Sequence, residues 1–166
     1  MLPLAARLAR PWSMARPLSK LPYVPPEIRR ALKVQRINTC DQLLAAAAKV
    51  DDRAALALAA RVELDGLTEL VCRADLARVR GTGFVFSHML MQLGVTDVAL
   101  LAEQDPFTLH QRLQQHNAVT RTARRSPTRA EVQEWVEQAR NLPRLVTFAS
   151  QHPLSLTKRT QTSGAR

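Results

Sequence analysis

The chain has 166 residues, with 24 Lys and Arg against 14 Asp and Glu and a formal net charge of +10. Hydrophobic residues make up 46% but aromatics only 4%, and Ala and Leu dominate the apolar set, which favours helices. That length gives one compact unit, or two small units sharing a core. Cys40 and Cys72 lie far apart without a Cys-x-x-Cys pattern, so neither a zinc ribbon nor a disulfide framework is implied. No apolar run approaches the ~20 residues that span a bilayer.

The positive charge is unevenly placed. Residues 1–26 carry four basic residues and no acid, and residues 27–119 carry eleven of each sign. Residues 120–129 add four Arg, and residues 141–166 four more basic residues with no acid. A neutral body with basic ends and a basic connector suits a polyanion bound without sequence preference. It also suits simple solvated tails.

Residues 1–20 contain Arg7, Arg10, Arg16, Lys20 and no acid, the composition of an organellar transit peptide or of a basic flexible tail. Helical patterning starts at Pro26, with Ile28, Ala31 and Leu32 on one face. Thr39 reads as the N-cap of a helix over 40–49, and Asp51 or Asp52 as the cap of a third over 53–62. Asp65 precedes a fourth, Leu67 to Val79. A helix from Phe84 to Leu93 follows, with Gly94 placed for a left-handed end. Asp97 starts a short helix, and Asp105-Pro106 opens another over 107–117. Ser126-Pro127 reads as the start of the last helix, whose Val132, Trp135, Val136 and Ala139 form a buried stripe. Beyond Phe148 the sequence is polar and basic, and a flexible tail is expected over 149–166.

A shift of 58 residues aligns Leu21–Leu43 with Val79–Leu101. Ile28 meets Phe86, Leu32 meets Leu90, and Ile37 meets Val95. The later copy has Gly81 and Gly83 between its helical stretches; the earlier has Tyr23 and Pro25. Gly-x-Gly permits a tight turn with positive φ, followed by a helix start whose free amides suit one phosphate. Pro25 and Pro26 have no amide hydrogen to offer.

Residues from about Leu21 to Phe148 resemble an uncharacterised bacterial and plastid-type family of tandem helix-hairpin-helix domains, catalogued as a domain of unknown function. The resemblance is carried by the Leu43–Ala48 run, Arg53–Leu56, Arg73–Leu76, Arg80–Gly83, Leu93–Thr96, Asn117, Pro127 and Glu134–Ala139. It implies an all-α fold of tandem helix-hairpin-helix (SAM-like) repeats plus a C-terminal helix. The corresponding division is a degenerate unit over 21–75 and a second unit with the C-terminal helix over 76–148. Two departures from the family pattern stand out: Thr82 replaces an apolar residue between the glycines, and the first turn lacks both glycines.

The expected site joins Arg78, Arg80, Gly81, Thr82 and Gly83 with the connector residues Arg121, Arg124 and Arg125. Amides and guanidinium groups there would hold a DNA or RNA backbone rather than read bases. Convergence of these arginines on the Gly-x-Gly turn favours nucleic acid. Dispersal with an exposed apolar patch favours the alternative, a protein-interaction or scaffold domain with an acidic partner. His88, His110, His116 and His152 share no metal-ligand spacing, and no nucleophile or paired-carboxylate motif appears. No enzyme, cofactor or membrane association is therefore expected. The expected place is the bacterial cytoplasm, near the nucleoid if DNA binds, or an organelle if residues 1–20 are a transit peptide.

Overall fold

A computed structural model of the chain describes residues 16–21 and 23–149. The expectations for residues 1–15 and 150–166, basic tails and a targeting segment, lie outside the described residues. Among those described, eight α-helices and one 3₁₀ turn (Leu18–Lys20) form the architecture, with no strand beyond an isolated bridge between Pro17 and Thr39. The helices are α1 Pro26–Val34, α2 Cys40–Ala47, α3 Val50–Ala60 and α4 Leu64–Leu76. Then come α5 Gly83–Gln92, α6 Val98–Ala102, α7 Pro106–Thr120 and α8 Arg129–Asn141. The all-α expectation holds.

Three helices start as their caps indicate. Thr39 accepts the Gln42 amide, Asp97 the Leu100 amide, and Asp105 the Thr108 amide with Pro106 at the first helical position. Three starts differ. The N-cap of α3 is Lys49, so Asp51 and Asp52 lie inside its first turn, where they meet the positive end of the helix dipole. Helix α4 begins at Leu64 and takes Asp65 into its first turn, ending at Leu76. Helix α8 is capped by Thr128 in a capping box with Glu131, which satisfies two amides where Ser126 would satisfy one. Ser126 instead accepts a hydrogen bond from Asn117 Nδ2 at 3.3 Å.

Several backbone bonds of the segment 17–43 recur in 75–101 at the 58-residue offset. The Ile37 amide donates to Leu32 O at 2.9 Å, and the Val95 amide to Leu90 O at 2.9 Å. Upstream, Lys20 N to Pro17 O (3.0 Å) matches Arg78 N to Asp75 O (3.1 Å), and Leu21 N to Leu18 O matches Val79 N to Leu76 O, both 3.1 Å. Left-handed residues coincide as well: Tyr23 (φ 62°) with Gly81 (φ 91°), and Arg36 (φ 59°) with Gly94 (φ 83°). The correspondence thus begins three residues before Leu21, with the buried Leu18.

Each half has its own core. Leu18, Ile28, Leu32, Leu43, Leu67 and Val71 belong to the first, and Leu76, Val79, Leu90, Leu113, Trp135 and Val136 to the second. Helix α4 serves both, giving Leu67, Leu70, Val71 and Ala74 to one and its last residue, Leu76, to the other. Gly66 lets α1 approach α4, because a Cβ there would lie 2.8 Å from Ile28 Cδ1.

The chain after α8 returns to the first half. Thr147 N donates to Ala48 O and Thr147 Oγ1 accepts the Val50 amide, both at 2.9 Å. Arg53, almost fully buried, donates from Nη2 to Thr147 O at 2.6 Å and from Nη1 to Ala47 O and Ala48 O at 3.1 Å. Carbonyl oxygens thus supply the acceptors that a buried guanidinium needs.

Candidate nucleic-acid interface

Helix α4 ends and α5 begins across the turn 77–82, and the two glycines there do different work. A Cβ on Gly81 would stand 3.0 Å from Trp135 Nε1, so Gly81 permits close packing against α8 as well as its own positive φ. Gly83 (φ 54°) has nothing within 4 Å of its would-be Cβ, so the space before it is open. Between them Thr82 is buried, and its hydroxyl donates to Val79 O at 2.8 Å. The hydroxyl therefore serves a carbonyl left over where α4 ends, a task that an apolar side chain could not perform. Ser87 is buried one turn on, with its Oγ donating to Gly83 O at 2.5 Å.

No side chain caps α5, and its first turn holds no acidic residue. The positive end of its dipole and its first amides are therefore not neutralised locally. Beside that turn runs an open groove of about 420 Å³, lined by Val85 and Phe86 from α5 and by Thr122, Ala123, Arg124 and Arg125 from the connector. Arg125 Cζ lies 5.8 Å from the Phe86 ring centroid.

The connector is a fixed element. Buried Asn117 accepts the Ala123 amide through Oδ1 at 2.8 Å and reaches Ser126 with its Nδ2. Ala123 packs against the second core and Pro127 is buried. Arg121, at φ 49°, closes α7 and donates its amide to Asn117 O. Arg124 and Arg125 are exposed, and Arg125 forms a two-bond pair with Glu131 at 2.8 and 2.6 Å. Arg125 and the Thr128 amide together hold the Glu131 carboxyl at about 2, well below its usual range.

The expected arginines divide. Arg124 and Arg125 share the groove with α5, and Arg121 stands exposed at the connector's start. Arg80 is exposed and lines a separate cavity of about 360 Å³ with Glu134, Glu137 and Gln138 of α8; its own amide donates to Gln138 Oε1 at 2.9 Å. Arg78 is turned inward, with Nη1 on Asp75 Oδ1 at 2.5 Å and Nη2 on Pro143 O at 2.9 Å. Its guanidinium is committed to the fold.

Two determinants escaped the sequence reading. Glu131 was signalled by Thr128-x-x-Glu131, a capping-box spacing placed one residue after the Ser-Pro pair. The staple made by Asn117 carried no local signal, because its partners lie six and nine residues away across a loop. Among the described residues no cluster of three or more His, Cys, Asp or Glu could hold a metal, and no helix is long and apolar enough to cross a membrane.

These features define an all-helical protein whose two halves share one repeated turn-and-helix pattern and one connecting helix. The chain belongs to the family described as Domain of unknown function (DUF4332), whose model matches residues 23–142. No curated protein and no solved structure matches the chain.

Proposed function

We propose that this chain is a non-enzymatic module that holds a nucleic-acid phosphate backbone without sequence specificity, using the α4–turn–α5 unit as a helix-hairpin-helix. The repeated turn makes the arrangement a tandem one, with the first copy degenerate. One observation carries the reading: Arg124 and Arg125 are held by an ordered connector against the uncapped first turn of α5. Amides, a helix dipole and guanidinium groups gathered at one surface suit a phosphate. Arg121 and Arg80 add charge at the margins, while Arg78 and Thr82 keep the turn in shape.

A second reading has its own support. Val34 and Leu58 are about four-fifths exposed, at 79% and 81%. Their counterparts at the 58-residue offset, Gln92 and His116, form a polar contact at 2.7 Å. Two exposed apolar side chains where the other copy is polar favour a protein partner on the first half.

The test is a titration of the full chain against duplex and single-stranded DNA and RNA at several salt concentrations. Affinity is expected to fall steeply with salt, and the triple change Arg121→Ala, Arg124→Ala, Arg125→Ala to flatten that slope and weaken all sequences alike. Unchanged binding by the folded triple variant refutes this site, and absence of binding by the parent chain leaves the scaffold reading.

A further inference from the structure

The two copies of the turn have diverged at one position in a way that packing does not explain. Gly81 accepts its left-handed backbone without strain; Tyr23, at the equivalent place, holds φ 62° with a full side chain. That conformation is strained for a non-glycine residue. The Tyr23 ring is not placed in the core in return, for the residue is 69% exposed. It is nevertheless fixed. It stacks on His88 of α5 with centroids 4.5 Å apart and planes 25° from parallel, and Arg73 Cζ lies 5.9 Å from its centroid.

His88 and Phe84 are four residues apart and share one face of α5. The guanidinium of Arg16 lies 5.9 Å from the Phe84 ring centroid. Three rings, Phe84, His88 and Tyr23, are therefore flanked by a cation at each end, Arg16 and Arg73. Phe84 lies in the same first turn of α5 as the open Gly83, which is about 7.5 Å along the helix axis from His88. Burial and the nearby Arg73 charge hold His88 below its usual pKa, so at neutral pH it presents an uncharged ring to Tyr23.

We propose that Tyr23 is a base-stacking platform, and that the nucleic acid held at the α5 turn is single-stranded. This rests on the phosphate reading above. The second turn supplies amides for a phosphate; the first, whose Pro25 and Pro26 can donate none, supplies a rigid ring for the neighbouring base. Stacked rings flanked by cations are a means by which single strands are held, since every base has a face to stack and only an unpaired strand exposes it. A duplex hides those faces, so it would use the Gly83 turn and leave Tyr23 idle.

The test compares short oligothymidylate, oligouridylate and a mixed-sequence duplex, titrated against the full chain at one salt concentration. Tyr23→Asn removes the ring while keeping a residue that tolerates positive φ, and Tyr23→Phe keeps the ring. Tyr23→Asn is expected to weaken single-strand binding by about tenfold or more and leave duplex binding unchanged, with Tyr23→Phe like the parent. Single-strand affinity unchanged in a folded Tyr23→Asn variant overturns the proposal, as does a parent chain that prefers duplex. A parent that binds duplex but shows no Tyr23 effect refutes the platform alone, whereas one that binds no nucleic acid removes the phosphate reading beneath it.

Discussion

Asp75 and Arg78 form a buried ion pair that ties three parts of the second half together. Asp75 Oδ1 accepts from Arg78 at 2.5 Å while Oδ2 accepts the Val98 amide at 2.9 Å, so one carboxylate joins the end of α4 to the start of α6. Arg78 passes the link on to Pro143 O, just past α8. The first half has Pro17 and Lys20 at the equivalent positions, so the pair belongs to the second copy alone.

Removing one partner leaves the other charge stranded. Arg78→Ala is expected to destabilise the fold by about 3–5 kcal/mol, read from the urea midpoint. Arg78→Met combined with Asp75→Asn, which leaves no buried charge, should recover part of that loss. Nucleic-acid affinity per folded molecule should be the same in both. A folded variant that binds normally places Arg78 in the scaffold, and selective loss of binding would return it to the interface.

Glu131 competes with any phosphate for Arg125. Glu131→Gln keeps a residue suited to the capping box but removes the charge, so nucleic acid should bind more tightly, with a salt slope steeper by about one ion. The same change has a pH signature. Glu131 has its pKa depressed to about 2 in the folded protein, so its contribution is present above the ordinary value of 4.5 and is lost as pH falls through about 2. The stability gap between parent and variant should therefore close as pH falls from 4.5 towards 2. A constant gap would show that the pair adds nothing to the fold.

The two turn glycines should respond oppositely. Gly81→Ala meets both a positive φ and Trp135 Nε1 at 3.0 Å, and a loss of about 1–3 kcal/mol is expected in thermal unfolding. Gly83→Asn tolerates φ 54° and has open space, so the fold should survive with little change. Its side chain would, however, fill the approach to the first amides of α5, and phosphate binding should be lost. A Gly83→Asn variant that binds like the parent would make the turn purely architectural.

Both thiols should be silent in the native protein. Burial, reinforced by Asp41, pushes Cys40 up to about 11, and burial with nearby acidic groups pushes Cys72 up to about 12. Neither should react with an alkylating reagent at neutral pH until the chain opens. Rapid labelling of either under native conditions would contradict the packing of the first half.

Local signals revealed the helices and the second turn. Thr39, Asp97 and Asp105 each have an oxygen that one particular amide needs, and Gly94 supplies the left-handed end after α5. The boundaries of α3, α4 and α8 were misplaced because several cap-competent residues lie close together, and the choice among them depends on neighbours in space. The site was legible as far as its residue types. That Arg78 turns inward while Arg124 and Arg125 reach α5 depends on Asp75, Pro143 and Asn117, all set by tertiary contacts. Tyr23 read as a lost glycine, since its stack on His88 joins residues 65 positions apart, far beyond any local pattern.

Arg53 lies in the portion of the chain synthesised early, yet the oxygen that receives its Nη2 belongs to Thr147, 94 residues later. While the chain grows on a ribosome, Nη1 can already meet Ala47 O and Ala48 O, but Nη2 must keep water as its partner. The half made first therefore receives its last hydrogen bond only when nearly the whole described body has emerged.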